Sequence, residues 1–130
     1  MSSMEKHSVS PENGPAAIGP YSVGVVAGGF VFTAGQIGLE PASGVIVAGG
    51  VEAETRQALL NLKVILESAH SSLDDVVKTN VFLKDMADFN KMNSVYAEFF
   101  TKSYPARSAV QVAALPRNAQ VEIEAIAITH

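Results

Sequence analysis

The sequence lacks cysteine altogether and contains only three histidines. Without cysteine there can be no disulfide, no thiolate nucleophile and no Cys-ligated metal site. The histidines, His7, His70 and His130, lie far apart in the chain, so neither a Ser-His-Asp arrangement nor a His-ligated metal site is expected. A phosphate-binding glycine motif and a dinucleotide fingerprint are also missing. These absences exclude much of the common enzyme repertoire and lead us to expect no metal ion.

An excess of positive charge and long apolar runs are likewise missing. Nine basic residues face thirteen acidic ones, for a net charge of -4, which gives no electrostatic attraction to nucleic acid or to anionic membranes. No run approaches the roughly 18 apolar residues that a membrane span requires. The first seven residues lack the apolar segment of a secretory signal. We therefore expect a cytoplasmic protein that binds neither nucleic acid nor membrane.

The hydrophobic content is sufficient for one core. With 130 residues, of which 48% are hydrophobic, the chain fits a single domain over residues 1–130, and the polar residues 1–13 are expected to be flexible. Gly28-Gly29 between two apolar runs predicts a β-hairpin. A short strand is expected at 45–47. Apolar residues at spacings of three and four predict helices from Val51 to about His70 and, after an N-cap at Asp85, to Phe100.

Alternating segments predict three further strands, over 75–84, from Pro105 to about 115, and over 120–129. The order of elements is that of an α/β sheet with only two helices, which can cover one face of it. On the last strand Ile126 and Ile128 share the opposite face with Glu122 and Glu124. An uncovered apolar face on a small domain is an association surface, so we expect a homo-oligomer.

Arg107 is the first candidate for a functional residue. It follows Pro105 at the start of a predicted strand and is flanked by small residues, so a small anion could approach it closely. A guanidinium stays charged and its planar donors match a carboxylate. The alternative is an arginine at a strand end that pairs with one of the chain's own carboxylates. Taken alone, this stretch favours the structural alternative.

Other candidates lie elsewhere in the chain. The constrained Gly-Pro loop that ends in Tyr21 is either a packed arm or a wall of a site, and Gly35 permits close backbone approach or forms a simple bulge. Asn93 lies within the aromatic stripe of the second helix and needs a partner, either a neighbouring loop or a ligand. Glu122 lies on a strand that we expect to pair with the strand of Arg107, but a one-residue slip would reverse its face.

Several motifs together resemble the RidA/YjgF family, the reactive-intermediate imine deaminases, and the resemblance runs from about residue 14 to the C-terminus. The motifs are Ala17-Ile18-Gly19-Pro20-Tyr21-Ser22, Ala34-Gly35-Gln36-Ile37, Val76-Val77-Lys78, Asp88-Phe89, Asn93-Ser94-Val95-Tyr96, Pro105-Ala106-Arg107-Ser108 and Val121-Glu122-Ile123-Glu124-Ala125-Ile126-Ala127. Each is weak alone, whereas their joint order and spacing is specific. The resemblance implies a chorismate-mutase-like mixed α/β sheet with two helices on one face, assembled as a homotrimer with sites between subunits.

By the same resemblance, Arg107 binds the substrate carboxylate, Glu122 positions a water with help from Tyr21, and Gly35 and Asn93 belong to the site. The implied reaction hydrolyses a 2-imino acid, or the 2-aminoacrylate enamine that tautomerises to one, to a 2-keto acid and ammonia. It needs no cofactor. Two alternatives stay open: a non-catalytic trimer that binds small carboxylates, and an endoribonuclease or translation inhibitor.

The sequence departs from many members of that family at three positions. Val23 stands where glutamine is frequent, Ala34 where serine is frequent and Ala109 where cysteine is frequent. These departures bear on substrate preference more than on activity, because the arginine that imine hydrolysis needs is retained.

Overall fold

The structure, a computed structural model, describes residues 5–130 as a mixed α/β fold with two α-helices. The helices are α1 (Gly50–Ser68) and α2 (Phe89–Phe99). The strands are β1 (His7–Val9), β2 (Gly24–Ala27), β3 (Phe30–Thr33), β4 (Leu39–Glu40), β5 (Val45–Ile46), β6 (Val76–Leu83), β7 (Ala106–Gln111) and β8 (Val121–Ile128). Short 3₁₀ turns at Leu73–Asp75, Met86–Asp88 and Pro116–Asn118 precede β6, α2 and β8 respectively. None of the helices in residues 5–130 is long and apolar enough to cross a membrane.

Six strands form the main sheet, in the order β1-β2-β3-β8-β6-β7. All neighbours are antiparallel except β6 and β7, which are parallel and joined through α2. The predicted hairpin is confirmed: Gly28 and Gly29 connect β2 to β3 with φ of 59° and 82°, which glycine adopts without a steric penalty. Strands β4 and β5 form a separate two-stranded ribbon.

Both helices pack on one face of the main sheet. The apolar side of α1 buries Leu59, Leu62, Ile65 and Leu66 completely, and it contacts alternate residues of β8, such as Ile123. This burial supplies most of the hydrophobic stabilisation of the fold, because each fully buried side chain contributes about 1.5–3 kcal/mol.

The opposite face of the sheet has no helix over it, as the sequence predicts. It presents Ile126 and Ile128 of β8 together with their cross-strand partners on β3, Phe32 and Phe30. The two phenylalanines are 43% and 40% exposed. We call this surface the open face.

Three local expectations are wrong. Residues 7–9 are not a flexible tail but strand β1, which pairs with β2 and buries Val9, while residues 1–4 of that expectation lie outside the described residues. The alternation over 75–84 predicts that Val77 shares the face of Thr79, but strand β6 carries an irregularity between Val76 and Lys78, so Val76 is buried and Val77 is exposed. The strand after Pro105 ends at Gln111 rather than continuing to 115.

A fourth expectation, that the strands of Arg107 and Glu122 pair directly, is also wrong. Strand β6 lies between β7 and β8 and bonds to both. Strands β6 and β7 are parallel, and parallel strands need a crossover connection, which α2 supplies here. The chain thereby returns beside β6 on the side away from β8, and β7 forms the edge of the sheet. The two functional candidates are therefore two strands apart.

Candidate functional site

Arg107 lies on the helix face of β7, beneath α2. Its NH1 donates a hydrogen bond of 2.7 Å to Oδ1 of Asn93. The guanidinium carbon is 4.6 Å from the centre of the Tyr96 ring and 5.4 Å from that of Phe89, distances at which an aromatic face attracts a cation. The partner that Asn93 requires is therefore Arg107, and the two candidate residues belong to one group.

The aromatic side of this group is itself fixed. The Tyr96 hydroxyl lies 2.8 Å from Oγ1 of Thr79, in the middle of β6, and its ring stacks on Phe100 at 4.6 Å. Burial raises the pKa of the Tyr96 phenol, which keeps it neutral. The guanidinium therefore projects from a rigid support.

A cavity of about 450 Å³ opens over the guanidinium and has Tyr104 and Pro105 on its rim. Within residues 5–130 no carboxylate forms a salt bridge with Arg107. The structural alternative, pairing with one of the chain's own acids, is not observed. The remaining donors of the fork face a concavity of the right size for a small anion.

Glu122 lies in a different cavity, of about 480 Å³, with Tyr21 and Gly35. Its other walls are mostly apolar: Pro15, Ala16, Ile18, Ala34, Ile37, Leu39, Pro41 and Pro116. The Tyr21 loop is thus a wall of this cavity, and Tyr21 is 49% exposed. A long hydrogen bond of 3.4 Å from the Ile18 amide to the Tyr21 hydroxyl orients the phenol.

Gly35 is required for the position of Glu122. A bridge between Gln36 and Ile123 brings the backbone of Gly35 against the Glu122 side chain. A Cβ on residue 35 would stand 2.7 Å from Cδ of Glu122 and would overlap its Oε2. Glycine at this position therefore allows the Glu122 side chain to approach the backbone closely. It is not needed for a turn, since the φ of Gly35 is not in the left-handed region.

The carboxyl of Glu122 is half-buried, and its pKa lies above the ordinary value. Burial is the main cause, and the charge of Glu124 two residues along the strand adds to it. A raised pKa makes the carboxylate a better proton acceptor than an ordinary glutamate. Glu124 itself accepts a hydrogen bond of 3.0 Å from Asn80 on the open face.

The five candidates thus form two half-sites within one chain. Arg107 and Asn93 lie on the helix face of the sheet, whereas Tyr21, Gly35 and Glu122 lie in the other cavity. Thr79 pairs with Arg107 on β7 and with Ala125 on β8, so the three side chains lie on the same face of the sheet. Because side chains alternate along a strand, Glu122 lies on the opposite face. Arg107 lines one of the two cavities described above and Glu122 lines the other.

Two buried polar residues of α1 position the Glu122 cavity, and the sequence analysis missed them. The Glu54 carboxylate accepts a 2.8 Å hydrogen bond from the amide of Gln120, next to β8. Asn61 donates to the carbonyls of Leu39 and Ile37 at 2.9 and 3.3 Å. The signal was present, since both polar residues interrupt the apolar face of α1. Elsewhere on α1, Arg56 forms a salt bridge of 2.7 Å with Glu98 of α2.

The histidines do not form a catalytic group with these residues. His130 does meet other polar groups: its Nε2 lies 2.9 Å from Oδ1 of Asp75, and its amide donates to the His70 carbonyl. Hydrogen bonds from His130 and Ser72 hold the pKa of Asp75 below its usual value. This cluster ties the C-terminal end of β8 to the turn before β6, and neither cavity includes it.

Comparison with known proteins identifies the family. The family described as Endoribonuclease L-PSP matches residues 11–129. The chain belongs to this family, the RidA/YjgF family that the motifs resemble. A RutC family protein of Pyrococcus horikoshii is 55% identical over 94% of this chain and 97% of its own length. The 2-iminobutanoate/2-iminopropanoate deaminase of Mus musculus is 51% identical over 98% of this chain and 95% of its own length.

Solved structures of the RidA/YjgF family share the fold closely. The crystal structure of E. coli TdcF with bound serine has a TM-score of 0.90 and 43% identity, and the match covers 95% of this chain and 99% of that one. The mixed α/β sheet with two helices is therefore the family architecture.

The contact between Gly35 and Glu122 generates a first prediction. In the wild-type background Gly35→Ala should lower thermal stability and displace the Glu122 carboxylate, because the new Cβ overlaps it. A displacement of this kind costs up to about 100-fold in the rate of a reaction that depends on it. In a Glu122→Ala background the same change should cost almost nothing, since the overlapping atoms are gone. Equal destabilisation in both backgrounds would contradict the assignment.

The raised pKa of Glu122 generates a second prediction. The folded state binds this proton more tightly than the unfolded chain, whose glutamate titrates near 4.5, so folding stability is lost as pH rises from there through the folded pKa. Glu122→Gln removes the charge and keeps the shape. It should be more stable than the wild type to denaturant at pH 7, and the difference should vanish at acid pH. Parallel pH profiles for the two proteins would refute this.

Proposed function

We propose that this protein hydrolyses 2-imino acids to 2-keto acids and ammonia. The observation that carries the proposal is the Arg107 guanidinium, held by Asn93 and two aromatic rings, with donors facing an open cavity. Relatives about half identical to the whole chain carry the deaminase name. A 2-imino acid presents a carboxylate beside an electrophilic carbon. An arginine can bind that carboxylate, and a glutamate that transfers protons can assist the attack of water on that carbon.

Arg107 would bind the substrate carboxylate and fix the position of C2. Its NH1 is directed by Asn93, so the fork is already oriented when the anion arrives. A planar guanidinium can give a carboxylate two parallel hydrogen bonds, which sets distance and angle at once. The rigid support from Tyr96 and Thr79 reduces the conformational entropy that binding must overcome.

Glu122 and Tyr21 would act on the water. With the imine protonated, the carboxylate of Glu122 takes one proton of the water as the water oxygen bonds to C2, which gives a neutral carbinolamine. Return of that proton to the nitrogen makes ammonia the leaving group. As the C2–N bond breaks, Glu122 takes the remaining hydroxyl proton, the C2–O bond becomes a carbonyl, and that proton leaves with the ammonia as ammonium. The mostly apolar walls of the cavity keep the pKa of Glu122 raised, which suits this exchange. Imines hydrolyse unaided in water, so only a modest lowering of the barrier is needed. Each ~1.4 kcal/mol removed from the barrier raises the rate tenfold.

A second subunit would complete the site. Within one chain Arg107 and Glu122 line separate cavities, so one substrate can reach both only across a contact between chains. The open face supplies such a contact, because it exposes Phe30, Phe32 and Ile128. We therefore propose a homotrimer in which the arginine cavity of one subunit meets the glutamate cavity of the next. No cofactor is needed for this chemistry.

A carboxylate-binding protein without turnover is the second candidate. It is favoured by the solved structure of TdcF, whose description names bound serine, an amino acid that carries a carboxylate but no imine. The same Arg107 would hold such a ligand. Endoribonuclease activity, which the family description names, finds less support, because the net charge is -4 and phosphate contacts dominate affinity for nucleic acid.

The imine assay decides between these candidates. An amino-acid oxidase generates imines in situ, and release of keto acid is followed with and without the protein. We expect acceleration by the wild type, a loss of about 100-fold or more in Arg107→Ala, and incomplete recovery in Arg107→Lys, because lysine lacks the planar fork. Arg56→Ala, which removes an exposed arginine between the helices, serves as the matched control. Carboxylate binding without acceleration would select the second candidate.

The assembly has its own test. Ile126→Lys places a charge in the middle of the open face, and an unpaired buried cation costs several kcal/mol. The variant should be monomeric by light scattering and should lose imine hydrolysis. Leu60→Lys is the matched control, because Leu60 is an exposed leucine of α1 on the helix side and should leave the assembly intact. A folded wild-type monomer at micromolar concentration, or a fully active monomeric variant, would defeat the proposal.

A further inference from the structure

The ribbon Leu39–Ile46, formed by β4 and β5, forms one wall of the Glu122 cavity. Its Leu39, Pro41 and Gly44 line that cavity. Each strand of the ribbon has two residues and neither pairs with the main sheet. A two-stranded hairpin of this size is marginal by itself, so its position depends on the bonds that other elements make to it.

The base of the ribbon is fixed. Asn61, buried in α1, donates to the Leu39 carbonyl at 2.9 Å. Gly38 packs so closely on α1 that a Cβ there would stand 2.6 Å from Cα of Glu54. The Val47 amide bonds the Gly38 carbonyl at 2.9 Å and closes this end.

The tip of the ribbon is held by one side chain. NH1 of Arg117 donates a 2.7 Å hydrogen bond to the carbonyl of Gly44. Arg117 belongs to the turn that leads into β8, five residues before Glu122, and it also lines the cavity. The contact therefore joins the ribbon to the segment that carries the reacting carboxyl.

The turn that bears Arg117 is rigid and unusual. Arg117 and Asn118 both have left-handed φ, of 54° and 56°, a region that non-glycine residues populate rarely and that clusters at functional sites. The Lys84 ammonium donates a 2.7 Å hydrogen bond to Oδ1 of Asn118. The backbone amide of Lys84 donates a second hydrogen bond, of 3.0 Å, to the Gln120 carbonyl. The guanidinium thus reaches the ribbon from a fixed point.

We infer that Arg117 is a positioning residue: its bond to Gly44 holds the ribbon against the Glu122 cavity and so determines how tightly that cavity binds the side chain of the substrate. This inference rests on the proposed function for its substrate. Short side chains end before the ribbon and are insensitive to it. Longer apolar side chains reach Leu39 and Pro41, and a loosened wall packs poorly against them. The effect falls on binding and not on the proton transfer, because Arg117 acts through the ribbon.

The test compares Arg117→Met, Arg117→Lys and Arg56→Met in the full chain. Amide hydrogen exchange at Gly44, which bonds the Glu40 carbonyl, reports the ribbon directly. Inhibition by 4-methyl-2-oxopentanoate and by pyruvate, in the imine assay followed by release of ammonia, reports a long and a short side chain. Loss of one hydrogen bond should change each affected equilibrium about fivefold.

In Arg117→Met we expect exchange at Gly44 and the inhibition constant of 4-methyl-2-oxopentanoate to rise about fivefold, with the constant for pyruvate and kcat unchanged. In Arg117→Lys both the exchange at Gly44 and the inhibition constant of 4-methyl-2-oxopentanoate should return most of the way to their wild-type values, since lysine can still donate to the carbonyl. Arg56→Met should match the wild type. Unchanged exchange at Gly44, or equal weakening of both inhibitors, would overturn the inference. If the wild type neither binds the 2-oxo acids nor hydrolyses imines, the proposed function fails, and exchange at Gly44 alone decides whether Arg117 holds the ribbon.

Discussion

The register of the central strand β6 determines where every candidate functional side chain lies. Thr79 faces Arg107 on one side and Ala125 on the other, so the arginine points to the helices and the glutamates of β8 do not. The hydrogen bond between the hydroxyls of Thr79 and Tyr96 then places the aromatic ring against which the guanidinium packs. One strand therefore both supports the Arg107 guanidinium and separates it from the Glu122 carboxyl. The separation follows from the alternation of side chains along a strand, which no rotamer change can reverse.

The Glu122 cavity depends on a second constraint, the support that α1 gives to chain segments beside the sheet. Glu54 and Asn61 are buried polar residues in an otherwise apolar helix face, and each bonds backbone that would otherwise lack a partner near the cavity. Burying such groups is costly unless they are hydrogen-bonded. Their hydrogen bonds to Gln120 and to the start of the ribbon offset that cost and at the same time set the geometry of the walls.

The sequence predicted the helices, the glycine hairpin and the uncovered face, because these follow from local periodicity and turn chemistry. It could not predict that β6 lies between β7 and β8, since strand order depends on the crossover and on packing across the whole sheet. It predicted a partner for Asn93 but not Arg107 as that partner, which required the α2–β7 geometry. It offered close backbone approach at Gly35 but could not name Glu122 as the neighbour, nor Gly44 as the partner of Arg117, because both contacts join residues far apart along the chain. Motif resemblance indicated the family, which the comparisons confirm.

The departures at Val23, Ala34 and Ala109 can now be weighed by position. Val23 is buried in the core, Ala109 packs against that core from the edge strand, and neither residue lines the Arg107 or the Glu122 cavity. Ala34 alone of the three lines the Glu122 cavity, where a methyl group in place of a hydroxyl makes the wall more apolar. Less polar surroundings disfavour a charged carboxylate and favour apolar ligand side chains. The composition of this wall and the raised pKa of Glu122 therefore have a common physical origin, so a change at residue 34 would alter proton affinity and side-chain preference together.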